Sequence, residues 1–156
     1  MKIKLVSLIE EHAKEISQWR YEEPYSVYNY IDWNTMFTLG WGITQKEKRE
    51  KEFLAVVNER KELFGYIRLV EKRDGIMIGI GLRPDLCGKG IGQQVMMLLK
   101  EESMKRYGNK KIILEVRSFN SRAINCYKKV GFTETDRYIR NTSKGEAEFI
   151  KMISFN

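Results

Sequence analysis

The chain has 156 residues and a formal net charge of +7, from 28 Lys and Arg against 21 Asp and Glu, with one His. That length predicts one domain at roughly 100–200 residues per domain, and 42% hydrophobic with 31% charged residues argues against disorder. No apolar run approaches the ~18–20 residues of a membrane span, MKIKLVSLIEEHAKE turns acidic too early for a secretory leader, and two Cys with one His make neither a disulfide scaffold nor a usual zinc donor set.

Residues 2–8 read as a strand, and 9–20 as a helix with Ile9, Ala13 and Ile16 at helical spacing. The next stretch, YEEPYSVYNYIDWNTMF, is rich in aromatics and has no clear period. Residues 44–51 form a charged helix or loop. FLAVVNER and ELFGYIRLVEKR are strands, and Asp74-Gly75 signals a hairpin into a third, IMIGIGL. A glycine-rich loop, 84–92, opens a helix that sets Ile91, Val95, Leu98 and Leu99 on one face and stops at Gly108-Asn109. KIILEV is a short buried strand. Asn120 or Ser121 caps a helix with Ala123, Tyr127 and Val130 on a shared face, ended by Gly131. Strands at 132–140 and 145–154, joined by NTSKG, complete a mixed α/β sheet covered by helices.

The chemistry concentrates in strand, glycine loop and helix. Glycines at 88, 90 and 92 allow close backbone approach at a helix N-terminus, where orphan N–H groups and the helix dipole favour an anion, and Lys89 adds charge. A flexible turn is the plainer reading. Walker A is excluded because Arg83 stands where its first glycine is required and Gly90 follows Lys89. The dinucleotide fingerprint is excluded because Gln93 takes the place of its third glycine. A Ser-His-Asp or Cys-His mechanism would need His12, and the chain has no nucleophile motif to go with it.

The arrangement resembles the GCN5-related N-acetyltransferase superfamily, whose loop reads Arg/Gln-x-x-Gly-x-Gly/Ala. Cys87-Gly88-Lys89-Gly90-Ile91-Gly92 matches it with Cys in place of Arg/Gln, and VRSFNSRAINCYKKVGF is similar to its second signature through Asn120, Ala123, Tyr127 and Gly131-Phe132. The likeness covers roughly residues 50–155. It implies a single domain with a mixed, mostly antiparallel sheet of about six to seven strands, flanked by helices. Residues 1–50 would be the acceptor side and 51–156 the cofactor-binding core. It further implies acetyl-CoA as co-substrate, with loop amides at Gly88, Gly90, Ile91, Gly92 and Gln93 holding the pyrophosphate. Strand 76–82 would splay from strand 111–116, leaving the backbone near Ile80 and Leu82 to pair with the pantetheine arm. Asn120 would hydrogen-bond that arm, and Tyr127 would point at the sulfur.

Acetyl transfer requires a neutral amine and a proton for the leaving thiolate. Tyr127 suits the second role, since a tyrosine pKa of about 10 lies slightly above a thiol's roughly 8.5. A packed aromatic is its plainer reading. Glu115 is the candidate base, and an ion-paired charge on a sheet face is the alternative for it; a water chain without a dedicated base is a third. Trp19, Tyr21, Tyr25, Tyr28 and Trp33, interleaved with Glu22 and Glu23, form the expected acceptor side, suited to a cationic amine by charge and cation–π attraction. A homodimer contact or a lid is the competing reading of that segment. The expectation is thus a cytoplasmic, metal-free N-acetyltransferase acting on a small-molecule or protein amine, without membrane or nucleic-acid partners. A non-catalytic acetyl-CoA sensing module is the runner-up. A nucleic-acid-binding protein would fit the charge, but the basic residues are dispersed and no recognition motif accompanies them.

Overall fold

The computed structural model describes residues 2–155. The chain runs β1 (Ile3–Ser7), α1 (Glu10–Ser17), a 3-10 turn (Tyr25–Tyr28), α2 (Trp33–Leu39), a 3-10 turn (Gly42–Thr44) and α3 (Lys46–Glu52). It continues through β2 (Phe53–Asn58), β3 (Leu63–Lys72), β4 (Gly75–Leu82), α4 (Ile91–Tyr107), β5 (Ile112–Arg117), α5 (Ser121–Lys129), β6 (Thr133–Thr142) and β7 (Gly145–Ser154).

The strands form one seven-stranded sheet in the order β1-β2-β3-β4-β5-β7-β6. β1 and β2 pair antiparallel from Ile3↔Asn58 to Ser7↔Leu54, as do β2 and β3. β4 and β5 run parallel, which requires a crossover, and the 17-residue α4 supplies it. Their pairing is confined to Ile76↔Ile112 and Met77↔Ile113, although β4 runs on to Leu82 and β5 to Arg117. β7 lies against β5 from Ile112↔Ser154 to Arg117↔Phe149, so the last strand is inserted and β6 becomes an edge.

Two compact units divide the chain: Met1–Arg68 with Ile80–Cys87, and Leu69–Gly79 with Gly88–Asn156. The first has its own core, in which Leu8, Ala13, Ile16, Trp19, Met36, Ile43 and Phe53 pack together. The expected inner face of α1 holds at Ala13 and Ile16 but not at Ile9. Ile9 is the N-cap and 46% exposed, while Ala13, Ile16 and Trp19 are buried, because the strand-to-helix junction at Ile9 leaves its side chain outside the apolar stripe. The aperiodic aromatic stretch contains a helix after all. Asp32 caps α2 by accepting from Thr35 N at 3.0 Å, and Gly40 closes it in the left-handed region.

In the second unit α4 buries Ile91, Val95, Met96 and Leu99, while Leu98 is half-buried. Phe132, at 2% exposure, follows α5. Burying such a ring stabilises the unit by about 1.5–3 kcal/mol. No helix among the described residues is long and apolar enough to cross a membrane.

Candidate functional site

The glycine loop is built by two opposed demands. A 3-10 turn at Pro84–Leu86 brings the chain off β4, and Arg83 locks it by a two-pronged ion pair with Asp85 (2.7 and 3.1 Å) and a bond from Nη1 to Leu63 O. The chain must then reverse into α4, and it does so through Gly88 at φ +76° and Gly90 at φ +81°. L side chains rarely adopt that conformation, which is why glycine stands at both places. Gly90 is the N-cap, and no side chain among the described residues caps the helix. The first-turn amides of Ile91, Gly92 and Gln93 stand at the positive end of a helix long enough to have a dipole.

Two cations accompany the loop. Lys89 is exposed within it. Arg122, from the first turn of α5, sits beside Gly88: a Cβ there would lie 3.7 Å from its Cδ and 3.8 Å from its Nη1. Arg122 escapes a reading of the sequence because 34 residues separate it from Gly88 and no spacing rule links the two.

α5 is held at both ends, which fixes Tyr127. Asn120 accepts from Ala123 N at 3.1 Å through Oδ1, as a capping residue should. At the far end, Lys100 of α4 donates to Val130 O, and its ammonium lies 5.2 Å from the Phe132 ring centroid. Burial lowers the Lys100 pKa from its ordinary value. The Tyr127 ring packs edge-on to Phe132 at 6.1 Å and remains half-buried. Cys126 precedes it, and burial pushes that thiol's pKa up, against the lowering effect of Lys129.

Glu115 of β5 faces a different environment. Its carboxylate accepts from Tyr138 Oη and pairs with Arg140 at 3.2 Å. This is the ion-paired sheet-face reading of that residue. Burial first, and then the bond to Glu115 and its charge, raise the Tyr138 pKa to about 12.

In the first unit, Ile80 and Leu82 are half-buried on the part of β4 beyond its pairing with β5. Tyr21 Oη donates to Leu82 O at 2.5 Å. Burial, then the nearby Cys87 and Tyr30, raise the Tyr21 pKa, so the phenol stays a donor. Gly81 exists for close approach: a Cβ there would run into the Tyr66 ring. Tyr66 in turn meets Tyr30, hydroxyl to hydroxyl at 3.1 Å.

The rest of the aromatic stretch divides by role. Trp19 is sealed in the core at 8% exposure, and Trp33, partly buried, packs on that core with Lys14 over its ring at 5.6 Å. Tyr25 and Tyr28 lie in the 3-10 turn. Glu22 and Glu23 are exposed, and Glu23 accepts from Ser26 Oγ. Asp32 is used up in capping α2. Among the described residues no group of three or more His, Cys, Asp or Glu is placed to hold a metal.

Comparison with known proteins adds the family. The model described as "Acetyltransferase (GNAT) family" matches residues 6–132. No curated protein matches the sequence. Among solved structures, a chimera of the Vibrio cholerae spermidine N-acetyltransferase SpeG and hSSAT superposes with a TM-score of 0.81 at 19% identity, covering 99% of this chain and 96% of the other. The ribosomal-protein-S18-alanine N-acetyltransferase from Escherichia coli superposes with a TM-score of 0.68 at 23% identity, covering 99% and 94%.

Proposed function

The chain belongs to the GNAT acetyltransferase family, and from that premise we propose that it transfers the acetyl group of acetyl-CoA to a primary amine by direct attack, with Tyr127 as general acid. The observation that carries this reading is the N-terminus of α4. A 17-residue helix begins there without a side-chain cap, behind two left-handed glycines, and the space a Gly90 side chain would fill is empty to 4 Å. Such a cradle fits a pyrophosphate, which needs several converging N–H donors and no Cβ in the way.

The loop amides of Gly88, Gly90, Ile91, Gly92 and Gln93 bind the phosphates, and Lys89 and Arg122 add charge. The backbone at Ile80 and Leu82 takes the cofactor arm as an added strand. Tyr21 already uses one lone pair of Leu82 O, and the second lone pair is available for that pairing. Asn120, whose Oδ1 accepts from Ala123 N in the α5 cap, hydrogen-bonds the arm.

In the reaction the amine nitrogen forms a bond to the thioester carbonyl carbon and the C–S bond breaks. The proton on the attacking nitrogen leaves to water, the Tyr127 hydroxyl proton goes to the thiolate, and Tyr127 regains a proton from water. General acid help of this kind is worth roughly 10²–10⁴-fold. Glu115 is left out of the scheme, because Tyr138 and Arg140 already hold its carboxylate. Cys126 is left out too, since a raised pKa disfavours the thiolate a nucleophile needs. The acceptor is a small-molecule or protein amine. The named neighbours act on spermidine and on a ribosomal protein, and at their identities the likeness carries the fold alone. A chain with only two Cys suits a reducing, cytoplasmic setting.

Thiol release from acetyl-CoA, measured with a panel of amines and confirmed by the mass of the acetamide, tests the proposal. Amine-dependent release is expected. Tight acetyl-CoA binding without turnover on any amine would instead mark a sensing module.

A further inference from the structure

The first unit contains a pocket of about 330 Å³ lined by Tyr30, Trp41, Gly42, Ile43, Phe53 and Arg68. That is the lower end of the size range of small-molecule sites, which combine apolar walls with a few placed polar groups. Three of the walls are aromatic. Tyr30 and Trp41 meet edge-on at 6.1 Å, and Trp41 remains 37% exposed. The one charged group is Arg68, stacked over the Phe53 ring at 4.8 Å. No carboxylate is among the lining residues.

The state of Arg68 decides what the pocket can hold. Its Nε and Nη2 both donate to a single oxygen of Glu52, at 2.9 and 2.6 Å. The other Glu52 oxygen takes Lys48 Nζ at 3.3 Å. One carboxylate thus answers two cations, so the cluster has a net charge of +1. Arg68 Nη1 stands outside this pairing and makes no hydrogen bond among the described residues. A guanidinium with one edge anchored and the other edge open is arranged to receive an oxyanion. The same charge repels a polycation, and nothing at the walls offsets it.

The pocket also connects to the strand where the cofactor arm is placed. Tyr30, one of its walls, bonds to Tyr66, and the Tyr66 ring lies on Gly81 of β4. A ligand body held between Trp41 and Phe53 would therefore rest one aromatic layer from that backbone.

We infer that this pocket selects the acceptor, and that the acceptor is an amine with a planar apolar body and a carboxylate, an aromatic α-amino acid in its simplest form, rather than a polyamine. The inference rests on the acetyltransferase reading of the chain for its catalytic readout, while the pocket's ligand class can be measured by binding alone.

The test uses the full chain and two matched pairs: L-phenylalanine with phenethylamine, and L-tryptophan with tryptamine. Members of a pair differ in the carboxylate only. Spermidine is the fifth probe. With acetyl-CoA saturating, the carboxylate member should have a KM lower by about tenfold or more, the worth of one charge-assisted hydrogen bond. Spermidine should be the poorest acceptor. Removing Arg68 alone would strand Glu52, which is 5% exposed, so the variant is the double Arg68→Gln/Glu52→Gln. In it the KM ratio within each pair should fall to near one. Trp41→Ala keeps the ion pair and should raise both KM values of a pair together, leaving their ratio as it was. Spermidine as the best acceptor, or a ratio of one in the parent, would overturn the inference while leaving acetyl transfer intact. If no probe releases thiol, calorimetry with the same five probes decides. Arg68-dependent binding of the amino acids then upholds the pocket while the acetyltransferase reading falls, and no binding overturns the pocket as well.

Discussion

Gly90→Ala isolates what the loop conformation contributes. Gly90 has φ +81° and ψ −4°, and the added methyl would meet nothing within 4 Å. The substitution therefore adds backbone strain without a clash, at roughly 1–2 kcal/mol for an L residue in the left-handed region. In a chain of this size that lowers Tm by about 2–8 °C. Gly40, at φ +75° and ψ 27° past the end of α2, is the matched control, again with nothing within 4 Å. Gly40→Ala should lose similar stability. Only Gly90→Ala should also lose acetyl-CoA affinity, because relieving the strain turns the first-turn amides away from the phosphates. A hydrogen bond to a charged group contributes about 1.5–3 kcal/mol, so loss of one means a roughly ten- to hundredfold rise in Kd. Thermal unfolding and calorimetry with acetyl-CoA read the two effects separately. Equal Kd values for the parent and a folded Gly90→Ala protein would remove the loop from the cofactor site.

Other outcomes follow from the same geometry. Tyr127→Phe should leave acetyl-CoA Kd unchanged and lower kcat by about 10²–10⁴-fold, and a parental kcat would make Tyr127 a packing residue only. Arg122→Gln should weaken acetyl-CoA binding and flatten its salt dependence, read by calorimetry at two ionic strengths. Tyr138, raised to about 12 by burial and by Glu115, favours the protonated folded state. Its contribution is complete below pH 10 and is lost as pH rises from 10 through 12. Denaturant titrations should show a shallower alkaline loss in Tyr138→Phe, and an identical slope would mean the phenol is not coupled to folding. Burial pushes the Glu52 carboxyl up, but Arg68 and Lys48 outweigh it and hold its pKa below 4.5. That stability is present above pH 4.5 and lost as pH falls below it, so Glu52→Gln should flatten the acid limb of the same titrations.

Elements with strong local signals were legible in the sequence. The glycine loop, the apolar stripe of α4 and the Asn120 cap each depend on neighbours close in the chain, and each lies where the residues point. α2 was obscured because its apolar residues serve two masters: Met36 is buried, while Phe37 and Leu39 stay 56% and 64% exposed, which erases a clean period. The Asp32 cap and the Gly40 stop were its readable marks. The roles of Glu115 and Glu52 were not readable, since Tyr138, Arg140 and Arg68 reach them only when the chain folds. The pocket was hidden for the same reason: Tyr30, Trp41, Phe53 and Arg68 come from a loop, a turn and two strands, and no spacing joins them.

Direct transfer, with no acetylated protein on the way, is most directly tested by rapid quench with acetyl-labelled acetyl-CoA. Without an amine the protein should remain unlabelled. With an acceptor the label should pass to the amide in a single exponential, slowed in Tyr127→Phe and unaffected by Cys126→Ala. Label on the protein before the amine is added, lost in Cys126→Ala, would contradict the account.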